Sequence, residues 1–197
     1  PFHLCEPGVG TTSTGDTLFL LAGTHLCDSE ILLPAGVTIE GALIGTTIVK
    51  GQTTGFGFLI STGPVAATTT VRWLSFQAPL LARTIRVENS NLVVNDVKDA
   101  GGISADVDTR DVTIDGYSFD GPGVGLAFVA PFGTIEVSNS SIRNCDVGVI
   151  LAVGEPIAGF TADIDGLIVE GCDTGLSIGQ FPTSIPLGSS LDIEVTN

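Results

Sequence analysis

In SIRNCDVGVIL, which starts at Ser141, an aliphatic residue, a Cys, an Asp and a Gly stand at Ile142, Cys145, Asp146 and Gly148. The same residue types return at the same internal spacing 27 positions later, at Val169, Cys172, Asp173 and Gly175. An earlier copy runs through Ile114, Phe119, Pro122, Gly125, Leu126 and Phe128, 23 residues before Val137, Ile142, Cys145, Gly148, Val149 and Leu151. A fourth and less regular copy reads Leu92, Val97, Ala100 and Ile103, with one residue missing before Ile103. The extra residues of the longest period fall in VGEPIAGF, a Gly- and Pro-rich stretch suited to a loop. A fixed inner spacing with variable insertions is the mark of stacked repeats.

A second pattern runs through the chain. An aliphatic residue is followed by a polar one and then by Gly, Asn or Asp. It occurs as IEG at Ile39, VKG at Val49, VEN at Val87, VND at Val94, IDG at Ile114, VSN at Val137, IDG at Ile164 and VTN at Val195. Gly and Asn enter left-handed backbone angles at low cost, so each triplet reads as a strand ending in a corner. No segment carries helical periodicity, and Gly is 26 of 197 residues, which suits many tight turns.

The stretches VTIDGYSFDGPGVGLAF, IEVSNSSIRNCDVGVIL and ADIDGLIVEGCDTGLSI resemble coils of right-handed parallel β-helix proteins, the pectin-lyase-like superfamily. The expected fold is all-β: a single-domain right-handed parallel β-helix of about seven to eight coils, each rising roughly 4.8 Å. Residues 1–16 are expected to form an N-terminal cap and residues 17–197 the coils, the last of them incomplete. Stacking would set Ile142 on Val169 and Val149 on Leu176, and place Gly148 and Gly175 at a corner. It would also align Lys98, Asp120, Arg143 and Glu170 as a column of alternating charge, worth tenths of a kcal/mol per pair.

Four Cys are present. Cys145 and Cys172 become neighbours one coil apart, inside the window for a disulfide. Cys5 and Cys27 can pin the N-terminal cap. The alternative for these Cys is a buried ladder of free thiols; an even Cys count compatible with two disulfides, a chain starting at Pro1 and the lack of any long apolar run point to an extracellular or cell-surface setting, with no transmembrane segment.

Net charge is −15, and the seven basic residues form no cluster, which argues against a nucleic-acid partner. The resemblance implies polysaccharide chemistry, yet the hydrolase motifs NTD, paired DD, GHG and RIK and the epimerase motif DPHE are absent. The one tight acid–base constellation is ADVDTRD, where Asp106, Asp108 and Asp111 could hold Ca²⁺ beside Arg110. No other cofactor is called for. His3 and His25 read as cap residues off the strand faces. The Thr clusters TTSTGDT and ATTTV show no rank from coil to coil.

Two features point elsewhere than catalysis. VGVILAV and GLAFVA are apolar on both strand faces, leaving Val129 and Ile150 on an outer flank covered either by the chain's own loops, GEPIAGF and GQFPTSIPLG, or by another molecule. LDIEVTN opens a coil like IEVSN without continuing it, so either a longer protein is cut here or Leu191, Ile193 and Val195 mark an open end that meets a second subunit. The expected function is therefore a secreted or cell-surface structural protein that self-assembles, head to tail into a filament. The alternative is a polysaccharide-acting enzyme or a carbohydrate-binding module.

Overall fold

The computed structural model describes residues 12–27, 31–51, 59–62, 67–77, 83–88, 90–105, 111–129, 133–153, 160–180 and 192–196. Strands succeed one another coil by coil. The first group is β1 (Thr17–Leu20), β2 (Gly23–Cys27) and β3 (Ile31–Pro34), and the next is β4 (Thr38–Gly41), β5 (Thr47–Gly51) and β6 (Leu59–Thr62). In the following two coils one long strand turns the first corner: β7 (Thr68–Gln77) with β8 (Ile85–Glu88), then β9 (Asn91–Asp99) with β10 (Ile103–Ala105). Three strands per coil return with β11 (Val112–Asp115), β12 (Ser118–Asp120) and β13 (Val124–Val129). They continue with β14 (Gly133–Ser138), β15 (Ser141–Arg143) and β16 (Val147–Val153), then β17 (Phe160–Asp165), β18 (Ile168–Glu170) and β19 (Thr174–Gln180). β20 (Asp192–Thr196) lies beyond them.

Equivalent strands pair in parallel along the stack. One ladder runs β1-β4-β7-β9-β11-β14-β17-β20, and the opposite sheet of seven strands runs β3-β6-β8-β10-β13-β16-β19. The short third side is joined to the first ladder because β7 and β9 belong to both. The fold is a parallel β-solenoid without helices among the described residues.

The core consists of columns that run along the axis. Ile39, Val71, Val94, Ile114, Val137 and Ile164 stack on the first side. Ile85, Ile103, Leu126 and Val149 stack on the opposite side, beside Val87, Ala105, Phe128 and Leu151. All of these are buried. β-Branched residues suit such columns because their stiff side chains pack against equals one strand away. Ile142 pairs with Val169 and Val149 with Leu176, as the repeat spacing requires.

The corner triplets are explained by backbone angle. Asp96, Gly116, Asn139 and Gly166 occupy one corner in successive coils, with φ of 51°, 66°, 46° and 65°. Trp73 holds the same place one coil earlier at φ 59°, a strained angle for a large side chain. Its ring lies 4.5 Å from the Arg72 guanidinium, which also pairs with Glu40 at 2.6 Å.

Gly148 and Gly175 are not at a corner. Both lie within strands, paired across β16 and β19. Gly148 is there because the coils approach closely: a Cβ on it would come 2.6 Å from the Gly175 carbonyl oxygen and 2.7 Å from Val169 Cγ1. Gly148→Ala is therefore expected to push the last two coils apart and cost about 1–3 kcal/mol, read as a lower urea midpoint.

The charge column is shorter than its spacing suggested. Asp120, Arg143 and Glu170 do align, with Arg143 Nε 3.3 Å from Glu170 Oε2. Lys98 pairs with Ser118, two places short of Asp120. The coil is three residues shorter than the next one between β9 and β10, Asp99 to Ile103 against Phe119 to Leu126, and not within β9, so Val97 stacks on Leu74 and Asp99 takes the place opposite Phe119. His25 lies in strand β2 opposite Val49, with Nε2 3.0 Å from the Leu21 carbonyl oxygen. A Thr rank does exist: Thr17, Thr38 and Thr70 stack directly, and Thr113 follows after Val93. Unequal coil lengths give this rank no fixed period in the sequence.

Candidate functional site

Two places in the solenoid depart from simple stacking. The first is Asp99. It occupies the inward column filled by Phe119 in the next coil, and it is 2% exposed. An ionised carboxylate in such a column needs donors on all sides. Four are supplied. Thr84 Oγ1 donates to Oδ1 at 2.5 Å and the Gly101 N–H to the same oxygen at 2.9 Å. The Gly102 N–H donates to Oδ2 at 3.0 Å and the Tyr117 hydroxyl at 2.8 Å. Burial pushes the Asp99 carboxyl above the ordinary range, and the bonds from Thr84, Gly101 and Tyr117 oppose it. Burial, and then the charge of Asp99, hold the Tyr117 phenol well above its usual value.

The turn is shaped for this. Gly102 has φ 84°, and a Cβ there would lie 2.1 Å from the Val124 carbonyl oxygen. That carbonyl also accepts from Arg83 Nη1 at 2.6 Å. With four donors engaged, the carboxylate has no reach left for a substrate proton. Its chemistry is that of a pin, tying the start of β8, the turn after β9 and the β11–β12 corner together.

A half-open groove of about 310 Å³ lies beside this pin, lined by Gly45, Ile48, Ser75, Gln77, Lys98 and Asp120. Lys98, Gln77 and Asp120 are exposed. Asp120 Oδ1 accepts from Asn144 Nδ2 at 2.8 Å, and Ser75 Oγ accepts from the Gly45 N–H at 3.1 Å. The groove offers hydrogen bonds and one ammonium group, with Phe76 buried in its floor.

The second place is the last coil. Leu176 and Ile178 belong to the same columns as Val149 and Leu151. Val149 and Leu151 are 1% and 0% exposed, whereas Leu176 and Ile178 are 41% and 51% exposed. β20 pairs with β17 and lies over one side of this coil, where Ala162 and Ile164 are buried. Among the described residues no strand pairs with the outer edge of β18 or β19.

The residues singled out by sequence are distributed as follows. Ile193 and Val195 lie in β20, opposite Ala162 and Ile164, and Leu191 is outside the described residues. Val129 and Ile150 are half-buried on the outer side of the opposite sheet. Asp106, Asp108 and Arg110 are outside the described residues. Asp111 is exposed, and its Oδ1 accepts from the Thr134 N–H at 3.0 Å. Among the described residues no three His, Cys, Asp or Glu side chains are placed to hold a metal ion.

Cys145 and Cys172 form a disulfide with Cα atoms 4.3 Å apart. Cys27 is buried and disulfide-bonded as well, while Cys5 is outside the described residues, as is His3. No helix among the described residues is long and apolar enough to cross a membrane.

The Asp99 pin went unseen in the sequence. One signal was available: Asp99 stands five residues after Val94, as Phe119 stands five after Ile114. The sequence matches no protein-family model and no curated protein, so the functional reading rests on fold and geometry.

Proposed function

We propose that this chain is a structural β-solenoid of the extracellular space or cell surface that works by assembly, another chain covering its last coil. The single observation behind this reading is the abrupt exposure of Leu176 and Ile178, one strand beyond fully buried Val149 and Leu151. Burying a Leu or Ile side chain contributes about 1.5–3 kcal/mol, so a coil end of this kind favours a cover. Among the described residues no strand pairs with the outer edge of β19, which supports the same reading, since an exposed edge is a template for another strand. The disulfide between Cys145 and Cys172 suits an oxidising setting. Light scattering coupled to gel filtration on the unreduced chain tests it. A mass above 20.1 kDa is expected, and Ile178→Asp is expected to return the monomer with its circular dichroism unchanged.

A second reading is favoured by the groove at Lys98, Gln77 and Asp120, whose hydrogen-bonding lining suits carbohydrate hydroxyls. It places the protein near the polysaccharide-acting β-helix proteins it resembles, with Ca²⁺ at Asp106, Asp108 and Asp111 as a further element. Calorimetric titration with neutral and acidic glycans separates the two readings. Binding that Lys98→Ala removes supports carbohydrate recognition, and flat titrations oppose it.

A further inference from the structure

Two asparagines of one coil stand at corners in matching surroundings. Asn139 follows β14 with φ 46°, and Asn144 follows β15 with φ 54°. Both are exposed. Each Nδ2 donates one hydrogen to an aspartate of the coil before, Asn139 to Asp115 Oδ1 and Asn144 to Asp120 Oδ1, both at 2.8 Å. Gly116 and Gly166 hold the corner places on either side of Asn139, and Gly121 and Gly171 those on either side of Asn144. Neither asparagine therefore has a side chain at the next corner place along the stack. The two differ in the residue two places on. Ser141 follows Asn139, whereas Asp146 follows Asn144. Of Asn89, Asn91, Asn95, Asn139 and Asn144, only Asn139 has Ser or Thr at that place.

Resting on the extracellular reading above, we propose that Asn139 is the acceptor of an N-linked glycan, specified by the triplet Asn139, Ser140, Ser141. Transfer forms a bond from Nδ2 to the anomeric carbon of the first sugar and breaks that carbon's bond to the diphosphate of a lipid-linked oligosaccharide. The diphosphate leaves with the electron pair, and Nδ2 gives up one hydrogen as a proton. The hydrogen that remains still serves Asp115, so the corner keeps its tie to the coil before. Asn takes the left-handed angle of this corner at low cost, which lets a side chain stand where the coils on either side have Gly. The bare places at Gly116 and Gly166 leave room for a sugar ring along the stack, where successive coils lie roughly 4.8 Å apart. The corner joins the first ladder to the short third side, so the glycan covers that flank and leaves the seven-stranded sheet clear.

Mass spectrometry of the chain secreted from cultured eukaryotic cells tests the site. The expected result is a single glycan at Asn139 on most chains, none at Asn144, and its loss on treatment with peptide N-glycosidase. Ser141→Ala leaves Asn139 and its bond to Asp115 in place. It is expected to abolish the modification with circular dichroism unchanged, and Ser141→Thr is expected to keep it. A disulfide-bonded secreted chain of bare mass 20.1 kDa, or a glycan at Asn139 that survives Ser141→Ala, overturns the proposal and leaves the extracellular reading standing. A chain recovered with Cys145 and Cys172 as free thiols overturns that reading and the proposal with it.

Discussion

Replacing Asp99 with Ala is expected to destabilise the fold by about 3–5 kcal/mol, the range for removing one partner of a buried charged network. The loss strands the Thr84 and Tyr117 hydroxyls and the Gly101 and Gly102 N–H groups in the core. Urea denaturation measures it. Thr84→Val and Tyr117→Phe each remove one donor and are expected to cost about 1–2 kcal/mol. Because Thr84 and Tyr117 share the Asp99 carboxylate, the double variant is expected to depart from the sum of the two single losses.

The pH dependence follows from the direction of the shift. The folded-state pKa of Asp99 lies above its unfolded value near 3.8. Folding therefore takes up a proton at this site in the interval between the two. Relative to Asp99→Asn, the wild-type chain is expected to gain stability as pH falls through the raised value, levelling off below about 3.8. Asp115 behaves oppositely. Its carboxylate accepts from Asn139 Nδ2 and Ser138 Oγ, both at 2.8 Å, and these bonds lower its pKa. Its contribution is present above pH 3.8 and is lost as pH falls through the lowered folded value. Stability curves of Asp99→Asn and Asp115→Asn from pH 2 to 7 are expected to diverge from wild type with opposite slopes.

Removing the Cys145–Cys172 bridge is the second large effect. The bridge closes a loop of 27 residues that spans one coil. Loop-closure entropy puts its contribution at about 3.5 kcal/mol, equivalent to roughly 7–14 °C in Tm for a chain of this size. Cys145→Ser with Cys172→Ser is expected to show that loss by calorimetry. The loss is also expected to be local at first. Among the described residues β18 and β19 are paired on one edge only, so this side of the coil frays before the stack behind it.

Much of this architecture is legible in the sequence because stacking repeats a spacing. The register of Phe119 on Ile142 on Val169, the alignment of Cys145 with Cys172 and the left-handed corners at Gly116, Asn139 and Gly166 all follow from one short motif. What escapes is whatever breaks the repeat. Trp73 takes a corner angle that its residue type disfavours, held by a solenoid that fixes the angle from both sides. Asp99 enters an apolar column, and hydrophobic pattern alone moves the register to Val97. Its four donors come from residues 84, 101, 102 and 117, and only the fold brings them together. IEVTN was legible as a copy of IEVSN, and β20 takes the place that likeness assigns, with Ile193 on Ala162 on Ile135.

Hydrogen exchange read strand by strand at rising protein concentration tests most directly whether the last coil is covered by another chain. Protection in residues 174–180 is expected to rise with concentration, while residues 147–153, already paired on both edges, stay constant. Protection in residues 174–180 that is independent of concentration, at a level matching an exposed edge, contradicts the account.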